Sequence, residues 1–143
     1  MFRFRDGVLE VFLVHPGGPF WKNKDEGAWS IPKGEFNDDE DPLAAAKREF
    51  KEETGITCDG NFTELVPVKQ KSGKLVYAWA LNKDIDPAVI KSNLFEMEWP
   101  PKSGRMQEFP EVDKGEWFNI GVAKKKINVQ QSNLLDQLNL KFQ

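Results

Sequence analysis

Apolar and polar residues recur with two different periods along this chain, and the two periods predict strands and helices. A short run at residues 1–5 is joined by Asp6-Gly7 to the nearly all-apolar run at residues 8–15. Asp-Gly between two apolar runs is a strong signal for a two-residue hairpin. A run with almost no polar positions is typical of a strand that is buried on both faces. The sequence therefore predicts an N-terminal hairpin whose second strand lies inside the domain.

Helical spacing begins after Pro42, which suits the first position of a helix, and Asp41 before it suits the N-cap. Gly55 supplies the stop signal. The positions that recur at helical spacing and are expected to face the core are Leu43, Ala46, Phe50 and Thr54. The sequence predicts a helix between these signals.

The remaining pattern predicts further strands and helices. A second hairpin is expected around residues 71–74, with strands at 61–70 and 75–81, followed by strands at 94–99 and 116–120 and helices at 122–127 and 130–140. Residues 100–115 show no periodicity and are predicted to form a long loop, which in a compact domain is usually functional. The order of elements favours one α/β domain with a mixed sheet over residues 1–143.

Composition narrows the class of protein. The chain is 39% hydrophobic and 30% charged, as in globular domains. The single cysteine, Cys58, excludes an internal disulfide and favours a reducing compartment, so we expect a cytoplasmic protein. No apolar run is long enough to span a bilayer, including the run at residues 11–14, so the sequence predicts no membrane segment. A net charge of −3 disfavours a nucleic-acid partner but is compatible with a small phosphorylated ligand. The oligomeric state stays open.

Three glutamates of the predicted helix share one face. Glu49, Glu52 and Glu53 are three and four residues apart, which places them on neighbouring turns. Like charges at these spacings destabilise a helix, unless a cation lies among them. Carboxylate oxygens are the ligands that Mg²⁺ and Mn²⁺ prefer. The alternative is a solvated acidic face, which is common on protein surfaces.

The same stretch resembles the Nudix box, G-x5-E-x7-R-E-U-x-E-E-x-G-U, where U is a bulky apolar residue. Its specified positions are filled by Gly34, Glu40, Arg48, Glu49, Phe50, Glu52, Glu53, Gly55 and Ile56. The resemblance implies a Nudix α/β/α sandwich with a mixed sheet between helices. It also implies metal-dependent hydrolysis of a nucleoside diphosphate linked to another moiety.

The resemblance implies a role for each box residue. The family's metal-binding glutamates correspond to Glu49, Glu52 and Glu53, with Mg²⁺ as the expected ion and Mn²⁺ as a possible one. Gly34 corresponds to the position where the backbone turns close to the metal, and we include it in the metal set. Arg48, together with Glu40, corresponds to residues that hold the loop and the helix in shape through charge-assisted hydrogen bonds.

One more acidic residue is expected from a late loop. In the family a metal ligand or general base commonly lies six residues before a tryptophan, and Glu111 is six residues before Trp117. Glu108 is the second candidate. The alternative for both is a surface carboxylate without a role, since a general base must lie within hydrogen-bond reach of the attacking water.

Three residues before the helix are candidates for substrate binding. The segment at residues 29–34 resembles the W-x-x-P-K-G of Nudix hydrolases that act on diadenosine polyphosphates, which implies a phosphate contact for Lys33. Phe20 and Trp21 lie in a polar loop and could stack on a nucleobase. Solvent exposure is the alternative for Lys33, and core packing for the aromatic residues.

We therefore expect a magnesium-dependent pyrophosphohydrolase, with dinucleoside polyphosphates as the leading substrate class. The first alternative is a nucleoside triphosphate pyrophosphohydrolase that cleans the nucleotide pool. The second is a non-catalytic Nudix domain that senses a nucleotide, although such domains usually lose box glutamates and this chain keeps them all.

Overall fold

The N-terminal hairpin forms as the Asp-Gly signal predicts. In the computed structural model, which describes residues 1–33 and 39–142, Asp6 and Gly7 both have positive φ (52° and 78°). Such a turn matches the twist of the strands that it joins. The strands are β1 (Phe2–Arg5), β2 (Val8–Pro16), β3 (Thr63–Glu64), β4 (Val68–Lys69), β5 (Leu75–Val76), β6 (Trp79–Ala80), β7 (Leu94–Glu98), β8 (Met106–Pro110) and β9 (Val112–Asn119).

The helices follow the sequence signals closely. They are α1 (Pro42–Thr54), α2 (Ile120–Lys126) and α3 (Ser132–Phe142), with short 3₁₀ turns at Pro87–Val89 and Val129–Gln131. No helix in the described ranges is long and apolar enough for a membrane crossing.

The main sheet has the order β1-β2-β9, and both pairs are antiparallel. Two isolated bridges, Phe2 with Asn82 and Trp29 with Ile127, add parallel pairing. The predicted mixed character of the sheet is therefore confirmed.

Strand β2 lies at the centre of the fold, because both of its faces are buried. On one face Leu9, Val11 and Leu13 pack in a cluster that includes three leucines of α3 and Ala123 of α2. On the other face Phe12 and Val14 pack in a cluster that includes Phe50 of α1. Helices thus cover both faces of the sheet, as expected for the α/β/α sandwich.

The second hairpin is present, but its strands are shorter than predicted. Thr63 pairs with Ala80 in β3–β6, and Val68 pairs with Val76 in β4–β5. The paired segments are separated by irregular residues at 65–67 and 77–78.

The prediction of a loop over residues 100–115 is wrong. These residues include all of β8 and the first half of β9. Strand β8 pairs with β7, and Leu94 lies opposite Pro110 at one end of the pair and Glu98 opposite Met106 at the other. The strand signal is hidden because residues 106–108 of β8 are exposed, so that apolar and polar residues do not alternate along it. Glu108 accordingly lies on a strand, and Glu111 lies between two strands.

Candidate active site

Helix α1 is fixed at both ends by the residues that flank it. The Asp41 side chain accepts a hydrogen bond from the Ala44 N–H at 3.0 Å, and Pro42 occupies the first helical position. At the other end Gly55 adopts a left-handed conformation (φ 77°), and its N–H donates to the Lys51 carbonyl at 2.7 Å. The caps set the phase of the helix, and with it the direction of its acidic face.

Glu53 is a carboxylate whose ionisation the fold opposes. Burial is the main reason why its pKa is raised to about 8. The hydrogen bond from the Lys33 backbone N–H to Glu53 Oε2, at 2.8 Å, works in the opposite direction. The carboxylates of Glu49 and Glu111 raise the pKa of Glu53 further. A cation at this position would replace the proton and favour the ionised form.

Burial also opposes the ionisation of Glu49. Only 13% of its side chain is exposed. Burial raises its pKa, and the neighbouring Glu52 carboxylate adds to the effect. Glu52 itself is more accessible, with 35% of its side chain exposed. The side chains on the acidic face of α1 therefore differ in exposure, with Glu52 more accessible to solvent than Glu49.

Arg48 connects Glu40, which lies just before α1, to the acidic face of the helix. Its guanidinium donates two hydrogen bonds to Glu40, from Nε at 2.9 Å and from Nη2 at 3.1 Å. Its Nη1 also donates to Glu49 at 2.9 Å and to Glu52 at 3.2 Å. A fork of donors matches a carboxylate geometrically, so Arg48 orients three carboxylates at once. The predicted contact between Arg48 and Glu40 is present.

Glu111 is brought to the glutamates of α1 from a distant part of the sequence. Its N–H donates to the Asn93 carbonyl at 2.9 Å, and the Asn93 N–H donates to the Glu52 carbonyl at 2.7 Å. Burial raises the pKa of Glu111, and the Glu52 carboxylate raises it further. Since Glu111 also raises the pKa of Glu53, these carboxylates share one electrostatic environment.

The other predicted site residues have fewer contacts, or none, with the glutamates of α1. Lys33 lies beside Glu53 through its backbone, and its positive charge favours the ionised form of Glu53. Gly34 lies outside the described residues. Glu108 is exposed on β8 opposite Glu96, and its side chain makes no hydrogen bond or ion pair with the described residues. The structure therefore brings Lys33 to the glutamates, but it gives Glu108 no contact with them.

The candidate stacking residues lie on the surface. Phe20 is 57% exposed, and its ring meets the Trp99 ring edge to face with a centroid distance of 5.4 Å. Trp21 is 40% exposed, and the Lys24 ammonium lies 5.0 Å from the centroid of its ring. By contrast, Trp29 is only 2% exposed and packs in the core.

The donor set fits a hard divalent cation in its chemistry. Carboxylate oxygens are suitable ligands for Mg²⁺ and Mn²⁺, and burial penalises the charge of Glu49, Glu53 and Glu111. Among the described residues no three acidic, histidine or cysteine side chains already converge as a metal site. Arg48 takes one oxygen each of Glu49 and Glu52 in this geometry. Rotation of these carboxylates would be needed for them to join Glu53 around an ion.

A cavity of about 100 Å³ lies on the other side of α1. Its lining is mainly apolar and includes Leu43, Ala46 and Phe50 of the helix together with Leu134 of α3. Pro32 is also part of the wall, so the cavity comes close to the segment that carries Lys33.

Sequence reasoning missed the backbone contacts that hold Glu111. They involve Asn93 and Gly17, whose N–H donates to the Glu111 carbonyl at 3.0 Å. The Gly17-Gly18 pair after β2 was a usable signal, since glycine often marks a close approach of two backbones. Nothing in the sequence around Asn93 indicates its contacts.

Comparison with known proteins agrees with the fold. The NUDIX domain model matches residues 1–138. Nudix hydrolase 7 from Arabidopsis thaliana is 29% identical over an alignment of length 130 that covers 82% of this chain. The matched region is 43% of that relative, so the chain corresponds to less than half of its length.

Two solved structures share the fold. The NUDIX domain of Shewanella oneidensis NrtR, complexed with ADP ribose, has a TM-score of 0.65 at 16% identity and covers 99% of this chain and 83% of its own. A C. elegans Ap4A hydrolase has a TM-score of 0.59 at 23% identity and covers 98% of this chain and 90% of its own. The family match, the sandwich and the glutamate helix agree, and the chain belongs to the Nudix family.

Proposed function

We propose that this chain is a divalent-metal-dependent hydrolase that cleaves a pyrophosphate bond in a nucleotide, with dinucleoside polyphosphates as the leading substrate class. The observation that carries the proposal is the electrostatic coupling of Glu53 to Glu49 and Glu111, three carboxylates whose ionisation burial opposes. Such an arrangement favours cation binding, and perturbed carboxylates are characteristic of functional sites.

The residues that would hold the cations are Glu49, Glu52 and Glu53, together with Glu111 and the backbone at Gly34. When bound, a divalent ion can polarise a phosphoryl oxygen and make water a stronger nucleophile. Arg48 holds Glu40 against the helix and orients Glu49 and Glu52 through its hydrogen bonds.

Glu111 is the proposed general base. Its raised pKa makes it a better proton acceptor than an ordinary surface carboxylate, provided that the attacking water lies within hydrogen-bond reach. Lys33 lies next to Glu53, where its ammonium would neutralise part of the polyphosphate charge. Phe20 and Trp21 present exposed rings for a nucleobase.

The substrate class rests on a sequence motif. Trp29, Pro32, Lys33 and Gly34 stand immediately before the box, in the order found in hydrolases of diadenosine polyphosphates. The alternative of a nucleoside triphosphate pyrophosphohydrolase would be favoured by a deep pocket that hydrogen-bonds one base. The cavity beside α1 gives little support to this triphosphate alternative, because the lining of the cavity is mainly apolar.

A substrate panel tests the proposal. Purified protein with Mg²⁺ is incubated with diadenosine tetraphosphate, nucleoside triphosphates, ADP-ribose and a nucleotide sugar, and products are separated by chromatography. We expect the fastest release of product from the dinucleoside polyphosphate, and incorporation of oxygen-18 from labelled water identifies the phosphorus that is attacked. Nucleotide binding without turnover on any substrate would contradict the proposal and favour the sensor.

A further inference from the structure

Residues 91–93 join the last turn of α1 to a neighbouring part of the fold. The Lys91 N–H donates to the Thr54 carbonyl at 2.8 Å, and the Asn93 N–H donates to the Glu52 carbonyl at 2.7 Å. Carbonyls in the last turn of a helix have no partner within the helix. This segment therefore supplies the hydrogen bonds that α1 lacks at its C-terminal end.

The same segment fixes the backbone of Glu111. The Asn93 carbonyl accepts from the Glu111 N–H at 2.9 Å, and the Glu111 carbonyl accepts from the Gly17 N–H at 3.0 Å. Asn93 therefore links the two residues, since its N–H donates to the Glu52 carbonyl and its carbonyl accepts from the Glu111 N–H. The position of Glu111 relative to α1 is thus set by backbone contacts on both of its sides.

The Ser92 hydroxyl holds the residue that follows Glu111. The Val112 N–H donates to Ser92 Oγ at 3.1 Å. Ser92 Oγ lies 3.1 Å from the Val112 carbonyl and 3.0 Å from the Asn93 carbonyl, and one of them accepts its proton. Val112 pairs with Pro16, which has no N–H to donate across the sheet. Pro16 therefore cannot donate to the Val112 carbonyl, whereas the Ser92 hydroxyl lies within hydrogen-bond distance of it.

An irregularity in the sheet makes this contact important. Lys114 pairs with His15 and Val112 pairs with Pro16, so Asp113 is left without a partner in the ladder. Bulges of this kind redirect side chains and occur often beside active sites. Just before this bulge, the orientation of Glu111 depends on contacts outside the regular ladder.

We propose that Ser92 is a positioning residue, which orients Glu111 towards the glutamates of α1 through the hydrogen bond that its hydroxyl accepts from the Val112 N–H. The inference rests on the proposed function, in which Glu111 accepts a proton from the attacking water. A displacement of about 1 Å in a catalytic group can lower the rate about 100-fold, so a contact that acts through the backbone has a measurable effect.

The first test compares Ser92→Ala with Ser92→Thr, which keeps the hydroxyl, on the substrate that the wild type hydrolyses fastest. We expect Ser92→Ala to lower kcat about tenfold with little change in KM, and Ser92→Thr to restore kcat to within about threefold of the wild type. The control is Ser72→Ala, which removes a hydroxyl that accepts from the Lys74 N–H at 3.4 Å in the β4–β5 turn. Equal loss in the Ala and Thr variants, or an unchanged kcat in Ser92→Ala, would overturn the inference.

A double-mutant comparison shows whether Ser92 acts through Glu111. Glu111→Gln should lower kcat about 100-fold, and adding Ser92→Ala to it should cause no further loss beyond about twofold. Multiplicative losses would mean that Ser92 acts by another route and would overturn the positioning role.

Amide hydrogen exchange tests the contact without substrate or metal. In Ser92→Ala the Val112 amide loses its acceptor, so we expect faster exchange at residues 111–113 than in the wild type or Ser72→Ala. Unchanged exchange would overturn the inference even if the enzyme is active. A wild type that is inactive on every nucleotide would instead overturn the proposed function, and the catalytic part of this inference with it.

Discussion

At the scale of the residue, the central feature is a carboxylate that the fold keeps from ionising easily. Glu53 has a pKa of about 8, mainly because it is buried. Its position on the same helix face as Glu49 could be predicted from their spacing, since helical geometry is local. Its contact with the Lys33 N–H and the nearby charge of Glu111 could not, because they depend on tertiary structure.

Metal binding should therefore depend on pH. The folded protein holds a proton on Glu53 below about pH 8, and a cation must displace it. We expect Mg²⁺ affinity, measured by calorimetry, to fall about tenfold for each pH unit below that value. In Glu53→Gln the affinity should be lower and change much less with pH. Affinity of the wild type that is constant from about pH 6 to about pH 8 would contradict this role of Glu53.

At the scale of the element, the β7–β8 hairpin and the segment after β2 form one unit. A Cβ on Gly17 would lie 2.0 Å from the Pro110 carbonyl oxygen, and one on Gly18 would lie 3.0 Å from the Phe95 ring. Farther along, Phe20 contacts Trp99. The segment therefore follows the hairpin from its base towards its tip and connects it to the site through the Glu111 carbonyl.

The first strand of this hairpin was predicted from the sequence, but its partner β8 was not. A strand is recognised by alternation between a buried and an exposed face, but residues 106–108 are all exposed, and among the described strands β8 pairs with β7 alone. The capped helix α1, by contrast, could be predicted from the sequence. Its boundaries depend on Asp41, Pro42 and Gly55, which act on the neighbouring backbone. Local signals were sufficient for α1, whereas β8 needed knowledge of its partner.

Gly17→Ala tests the contact between these elements. Because the added methyl group would overlap the Pro110 carbonyl, we expect a loss of about 1–3 kcal/mol in the free energy of unfolding, or a fall in Tm of roughly 3–10 °C. Gly121→Ala is the control, since its Cβ would meet only the Asn119 side chain at 3.5 Å within α2. Equal thermal stability of the two variants would show that the close approach at Gly17 does not constrain the fold.

At the scale of the whole molecule, two separate apolar clusters flank the central strand. One lies towards α2 and α3, and the other lies towards α1. The nearly all-apolar character of β2 was enough to predict burial on both faces, and the Nudix box predicts that α1 carries the chemistry. The sequence did not determine how Glu111 reaches that helix, because residues 91–93 make the connection through backbone groups.

The measurement that tests the account most directly is turnover by Glu53→Gln with Mg²⁺ on the best substrate of the panel. The variant keeps the shape of the side chain and an acceptor for the Lys33 N–H but removes the charge that would bind a cation. Glu64→Gln, at an exposed position on β3, is the matched control. We predict that kcat falls at least about 100-fold in Glu53→Gln, with no loss of thermal stability, and is unchanged in Glu64→Gln. Turnover by Glu53→Gln within about twofold of the wild type would contradict the assignment of this helix as the metal-binding, catalytic element.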